Sequence, residues 1–97
     1  MKHDCQVIEY IKEIAKKYGA TKVVLFGSRA RGDHNERSDW DLVFFGAEEN
    51  RAYIWDKLMW ESPTLNKMDV LTERDLTGAI AEHIKRDGVV IYDSNEV

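Results

Sequence analysis

Three aspartates and one glycine–serine turn are the parts of this sequence whose types and spacing could do chemistry. Asp39 and Asp41 flank Trp40, and along a strand residues two apart point to the same face. Trp40, Leu42 and Phe44 then share one face, and Asp39 and Asp41 share the other with Val43 and Phe45. Two carboxylates held side by side repel unless a cation sits between them. Hard oxygen ligands of this kind suit Mg²⁺, which binds through one or two carboxylates together with substrate phosphates. Asp69 stands between Met68 and Val70, so it points away from their face and can join Asp39 and Asp41 if its strand lies beside theirs. Each acid alone has a plainer reading, a solvated strand start or an edge charge that discourages aggregation.

The turn supplies the second half of the site. A strand ends at Phe26 and the chain bends sharply at Gly27-Ser28. Gly27 lets a backbone or a phosphate come close. Ser28 offers a hydroxyl and a backbone N–H at what reads as a helix N-terminus, a natural phosphate position. Arg29 and Arg31 add positive charge nearby. Gly27 and Gly32 have the separation of a Walker A loop, but Asp33 and His34 follow where that motif needs Lys and then Ser or Thr. Three acids on adjacent strands beside a phosphate-cradling turn make instead a two-metal site for phosphoryl or nucleotidyl transfer.

The elements that must hold these residues can be read from periodicity. Asp4 can cap a helix from about Cys5 to Tyr18, whose apolar residues recur at helical spacing and which Gly19 ends. Lys22 to Phe26 is a short β-branched run, hence a buried strand, and Trp40 to Phe45 is a second strand. Glu48 to Trp60 reads as a helix that Ser62-Pro63 breaks. Core packing is the default explanation for its Trp55, Met59 and Trp60, with a partner surface as the alternative. Lys67 to Leu71 is a third strand, Thr72 and Asp75 have capping-box spacing, a helix runs through Ile80 and Ile84 to Gly88, and Val89 to Tyr92 is a last strand. That order predicts an α/β (α+β) domain spanning residues 1–97, a small mixed β-sheet with helices on one face.

Composition narrows the partners. The chain has 97 residues with 43% hydrophobic and 33% charged, which suits one globular domain and is too apolar for disorder. A net charge of −4 argues against a surface that coats nucleic acid, which needs a basic stripe. It permits a nucleoside triphosphate, whose phosphates a metal ion screens. The single cysteine, Cys5, excludes an intramolecular disulfide. No apolar run approaches a membrane span, and Met1 to Tyr10 carries charges where a signal peptide needs an apolar segment, so the cytoplasm is the expected compartment.

Gly27-Ser28, ten residues, then Asp39-x-Asp41, with Asp69 on a later strand, resembles the DNA polymerase β nucleotidyltransferase superfamily. The short length is similar to its minimal, MNT-type members. The resemblance implies a small mixed sheet with flanking helices and Mg²⁺-dependent transfer of a nucleoside monophosphate from a nucleoside triphosphate. It implies Asp39 and Asp41 as metal-binding acids, and Asp69 as a third that ligates metal or acts as base toward the acceptor hydroxyl. Gly27 and Ser28 match the triphosphate-binding turn, with Arg29 beside them as a nucleotide contact. Several MNT-type proteins are antitoxins paired with a helical HEPN-domain ribonuclease toxin, and the resemblance implies transfer of AMP from ATP to a tyrosine hydroxyl of such a toxin. The alternative is a non-catalytic module that neutralises the toxin by complexation. Intact Gly-Ser and three acids argue against it, because a pure binder gains nothing from clustered carboxylates.

Overall fold

The computed structural model describes residues 2–33, 35, 37–61, 64 and 66–96. Helix α1 (Lys2–Lys17) is followed by strand β1 (Lys22–Phe26), the single-turn helix α2 (Ser28–Arg31), β2 (Trp40–Phe45), α3 (Arg51–Glu61), β3 (Met68–Thr72), α4 (Gly78–Asp87) and β4 (Val89–Asp93). Short 3₁₀ turns at Glu48–Asn50, Glu73–Asp75 and Ser94–Glu96 complete the order. The mixed α/β architecture is the one expected from the sequence.

The four strands lie in the order β3-β2-β1-β4. β1 runs antiparallel to both β2 and β4, whereas β2 and β3 are parallel. A parallel neighbour needs a crossover, and α3 provides it. The register of the parallel pair sets Trp40 opposite Met68, Asp41 opposite Asp69 and Leu42 opposite Val70.

Alternation along these strands divides the sheet into two chemically different faces. Val23, Leu25, Trp40, Leu42, Phe44, Met68 and Val70 form one face and pack with Val7, Ile11, Ile14 and Ala15 of α1 and Ile54 and Leu58 of α3. Apolar burial of this extent contributes about 1.5–3 kcal/mol for each fully buried large side chain. The Tyr10 hydroxyl donates to the Lys57 carbonyl at 3.2 Å and ties α1 to α3 across that core. Gly19, at φ +77°, lets the chain leave α1 in the left-handed conformation expected of a C-cap.

Several local expectations are corrected. α1 begins at Lys2, so Asp4 lies within its first turn and does not cap it. The helix predicted from Glu48 starts with a 3₁₀ turn and becomes α-helical at Arg51. Only Ile54 and Leu58 of α3 are buried; Trp55, Met59 and Trp60 are exposed, with Tyr53 beside them. A sheet of four short strands presents room for one narrow helical stripe, and the aliphatic residues occupy it. Helices were expected on a single face, but α4 meets the sheet where Phe26, Asp41 and Leu71 emerge opposite the core. The break at Ser62-Pro63 and the side chain of His34 lie outside the described residues.

Candidate active site

The second face of the sheet carries the acids. Asp41 sits inside β2, and its register partners are Phe26 on one side and Asp69 on the other. Parallel pairing at this register follows from the apolar set, because Trp40 and Leu42 enter the core only if Met68 and Val70 do so beside them. The two aspartates between those residues are thereby carried together onto the opposite face. Their side chains come together there, close enough for Asp69 to hold Asp41 above its ordinary value.

Partial burial pushes Asp41 up first, then its hydrogen bond with Asp69 and the charges of Asp69 and Asp39; Arg31 draws it partly back. The result is a carboxyl at about 6 in place of its ordinary 3.8. Two carboxyls in this contact share a proton or a cation. Lys67 reaches Asp69 at 3.4 Å from a largely exposed position, a contact of the kind that stabilises little in water.

Asp39 stands differently. It is exposed and precedes β2, so the pleat does not fix its direction. The expected cluster of three is therefore a contacting pair with an outlying third acid close enough to raise Asp41. Among the described residues no three His, Cys, Asp or Glu side chains are gathered as a metal-holding set. The donor chemistry nevertheless fits a magnesium ion. Asp41 and Asp69 are hard oxygen donors brought to adjacent positions on one face, and Mg²⁺ takes its remaining ligands from water and substrate phosphates.

Gly27 closes the site from the side of β1. Its φ of +77° and ψ of −157° fall in a region open essentially only to glycine. A Cβ there would strike the Asp41 Oδ2 atom. The turn continues into α2, with the Ala30 and Arg31 N–H groups donating to the Gly27 carbonyl at 3.1 Å each. Ser28 is half-buried at the first position of that turn. Thus Gly27, Ser28, Asp41 and Asp69 occupy one neighbourhood.

The structure places Arg29 elsewhere. It is 9% exposed, and its Nε donates to the Ser38 carbonyl at 3.1 Å and its Nη2 to the Asn35 carbonyl at 3.4 Å. Its guanidinium lies 4.4 Å from the centre of the Trp40 ring, on the core side of β2 and away from the acid pair. The nearer exposed cation is Arg31, which pairs with Asp33 at 3.1 Å and Asp87 at 3.3 Å.

From the acids an open cleft of about 1110 Å³ extends across β3 between α3 and α4. Trp55, Ala52, Leu71 and Ile80 give it apolar walls, while Arg51, Arg74, Glu48 and Glu49 supply charge. Arg74 pairs with Glu48 at 2.8 Å, and Arg51 with Asp75 at 3.3 Å. The sequence reading missed the charged lining residues, and it missed Lys67, which pairs with Asp69. Lys67 could have been found, since it stands two residues before Asp69 at the strand entrance. Arg51 and Arg74 could not, because their placement depends on how two 3₁₀ turns pack.

A parallel–antiparallel sheet with an acid pair beneath a Gly-Ser turn defines the class of protein. The chain belongs to the polymerase β nucleotidyltransferase family, whose model, described as polymerase beta, nucleotidyltransferase, matches residues 9–97. Among curated proteins it is similar to the protein adenylyltransferase MntA of Aphanizomenon flos-aquae, with 34% identity over 83 residues covering 73% of this chain and 55% of that one. The chain spans about half the length of the curated relatives it matches. Among solved structures, a toxin–antitoxin complex with AMP-PNP has the same fold, with a TM-score of 0.72 at 17% identity over 92% of this chain and 75% of that one. A protein assigned as a minimal nucleotidyltransferase gives a TM-score of 0.65 at 28% identity over 84% and 86% of the two chains.

Proposed function

We propose that this chain is a Mg²⁺-dependent nucleotidyltransferase of the cytoplasm that moves AMP from ATP to a hydroxyl of a partner protein, and that the partner is a HEPN-domain ribonuclease toxin held inactive by the modification. The observation that carries the reading is the contact of Asp41 with Asp69 beside the Gly27-Ser28 turn. Half-buried carboxylates placed together repel without a cation between them, so a purely structural role gives no reason for them. Similarity to an adenylyltransferase supports AMP as the transferred group and a protein as the acceptor. Likeness in fold to a toxin–antitoxin complex supports a toxin as that protein, and the sequence resemblance to MNT-type antitoxins supports a HEPN domain in it.

Asp41 and Asp69 would hold magnesium, with Asp39 as a further ligand, and when bound the metal neutralises the carboxylates and the triphosphate and lowers the pKa of the acceptor hydroxyl. Gly27 and Ser28 bind the phosphates through backbone N–H groups and the serine hydroxyl. The acceptor oxygen bonds to the α-phosphorus, the bond from that phosphorus to the bridging oxygen breaks, and pyrophosphate leaves. Asp69 lies on the neighbouring strand, nearer the cleft, and is the group we place to take the hydroxyl proton. The cleft beside Trp55 gives the acceptor its approach. Mass spectrometry of the partner after incubation with ATP and Mg²⁺ tests the proposal: an added AMP on a hydroxyl side chain is expected, and an unmodified but neutralised partner would leave the complexation reading in its place.

A further inference from the structure

We infer that Arg29 is a positioning residue for Asp39 and does not bind the nucleotide. This rests on the nucleotidyltransferase reading above for its catalytic meaning, and on geometry for everything else. Asp39 is the one acid of the three with no place inside a strand, so no ladder of backbone bonds aims it. Its two chain neighbours are both gripped by Arg29. The Ser38 carbonyl, immediately before Asp39, accepts from Arg29 Nε at 3.1 Å. The Trp40 ring, immediately after it, lies under the guanidinium at 4.4 Å.

The anchor on the Trp40 side is rigid. Trp40 is 1% exposed in the core, and its backbone N–H donates to the Lys67 carbonyl at 2.9 Å, two residues before Asp69. One side chain thus connects the turn at Gly27-Ser28, the segment that carries Asp39 and the strand junction that aligns Asp41 with Asp69. On the other side, Nη2 reaches the Asn35 carbonyl at 3.4 Å. That residue closes a small turn with Ser38, in which Ser38 N–H donates to the Asn35 carbonyl at 3.2 Å and Asn35 N–H to the Ser38 Oγ at 3.0 Å.

The chemistry favours arginine for this task. A guanidinium is a planar fork that donates in fixed directions while its face lies on an aromatic ring, and a lysine ammonium reproduces neither. Hydrogen bonds from a charged donor are roughly twice as strong as neutral ones. Burying a charge at 9% exposure is costly unless it is well bonded, so the side chain is held where it lies. A phosphate ligand has the opposite needs: it must face the acid pair and reach bound substrate. Here the guanidinium sits over a core residue on the other side of β2.

The test uses the full chain and compares wild type with Arg29→Lys, Arg29→Ala and the milder Trp40→Phe. Amide hydrogen exchange of the segment 33–39 is read first, then Mn²⁺ affinity by water-proton relaxation, then KM for ATP at saturating Mg²⁺. Arg29→Lys and Arg29→Ala should speed exchange within 33–39 and weaken Mn²⁺ binding about 10–100-fold, the usual loss when a residue supporting a metal ligand is removed. KM for ATP at saturating metal should stay within a few-fold of wild type. Trp40→Phe should show the same pattern, weaker, and keeps the test decisive if Arg29→Ala does not fold. A raised KM for ATP with unchanged exchange and Mn²⁺ affinity would overturn the inference and make Arg29 a nucleotide ligand. If the wild-type chain binds no Mn²⁺, the nucleotidyltransferase reading falls by itself, and unchanged exchange in Arg29→Lys would still refute the positioning role.

Discussion

The Asp41 carboxylate lies against the α-carbon of Gly27, so a side chain at position 27 would meet Asp41 before it met any ligand. The glycine is required twice over, once for its backbone conformation and once for the space it leaves to the acid. Gly27→Ala should therefore damage metal binding as well as phosphate binding. Strain at this φ and ψ should lower stability by about 1–3 kcal/mol. Calorimetry with Mn²⁺ alone, in the absence of nucleotide, checks the first expectation, and chemical denaturation checks the second. Ser28→Ala leaves Asp41 untouched and should weaken ATP binding with little change in metal affinity.

Asp41 titrates at about 6 in the folded chain and near 3.8 when unfolded. The folded state thus binds the extra proton between those values, and the contribution of this group to stability falls as pH rises through 6. Asp41→Asn cannot ionise and should remove that fall. Near neutral pH and without divalent metal it should be more stable than wild type by about 1 kcal/mol, once solvent screening of the half-buried group is allowed for. Added Mg²⁺ should stabilise wild type and leave Asp41→Asn unchanged. Denaturation curves across the pH range, with and without Mg²⁺, decide the matter; a wild type that gains stability relative to Asp41→Asn between pH 4 and about 6 would refute it.

Asp69→Asn should separate binding from transfer. The variant keeps Asp41 and the Gly27-Ser28 turn, so ATP binding should survive in large part. Transfer should slow by about 10²–10³, the usual loss on removing one preorganised electrostatic group. Lys67→Ala, which removes only an exposed ion pair with Asp69, should change stability by less than about 1 kcal/mol. Single-turnover kinetics beside equilibrium ATP titrations measure both.

The two faces of α3 should respond oppositely. Ile54→Ala and Leu58→Ala should each cost about 2–5 kcal/mol, because both side chains are buried in the core. Tyr53→Ser and Trp60→Ser should stay within about 0.5–1 kcal/mol of wild type, since those residues are 64% and 76% exposed. Urea denaturation of the four variants gives the comparison.

Much of this arrangement was legible in the sequence because it rests on period-two alternation. Trp40, Leu42, Met68 and Val70 are apolar and dictate a core face, and Asp41 and Asp69 are left on the other whatever the loops do. The strand limits near Phe26, Phe45 and Val89 followed from the same signal. Asp39 shares a face with Asp41 only if strand alternation carries one residue past the expected start at Trp40, and β2 does start at Trp40. The burial of Arg29 is not legible in the sequence, because charge alone does not tell a phosphate contact from a buried fork bonded to carbonyls. Trp55, Met59 and Trp60 carry the apolar signature of a core stripe, yet the width of the sheet, which no local pattern records, leaves room only for Ile54 and Leu58.

The most direct test of the central claim is α-phosphate-labelled ATP incubated with Mg²⁺, the full chain and the proposed HEPN-domain partner, followed by mass spectrometry of that partner. Wild type should leave covalent AMP on a hydroxyl of the partner and release pyrophosphate, Asp69→Asn should do so far more slowly, and an Asp39→Ala, Asp41→Ala double variant should leave no label while losing the ability to neutralise. Full neutralisation by that double variant, with no AMP on the partner from wild type either, would contradict the account.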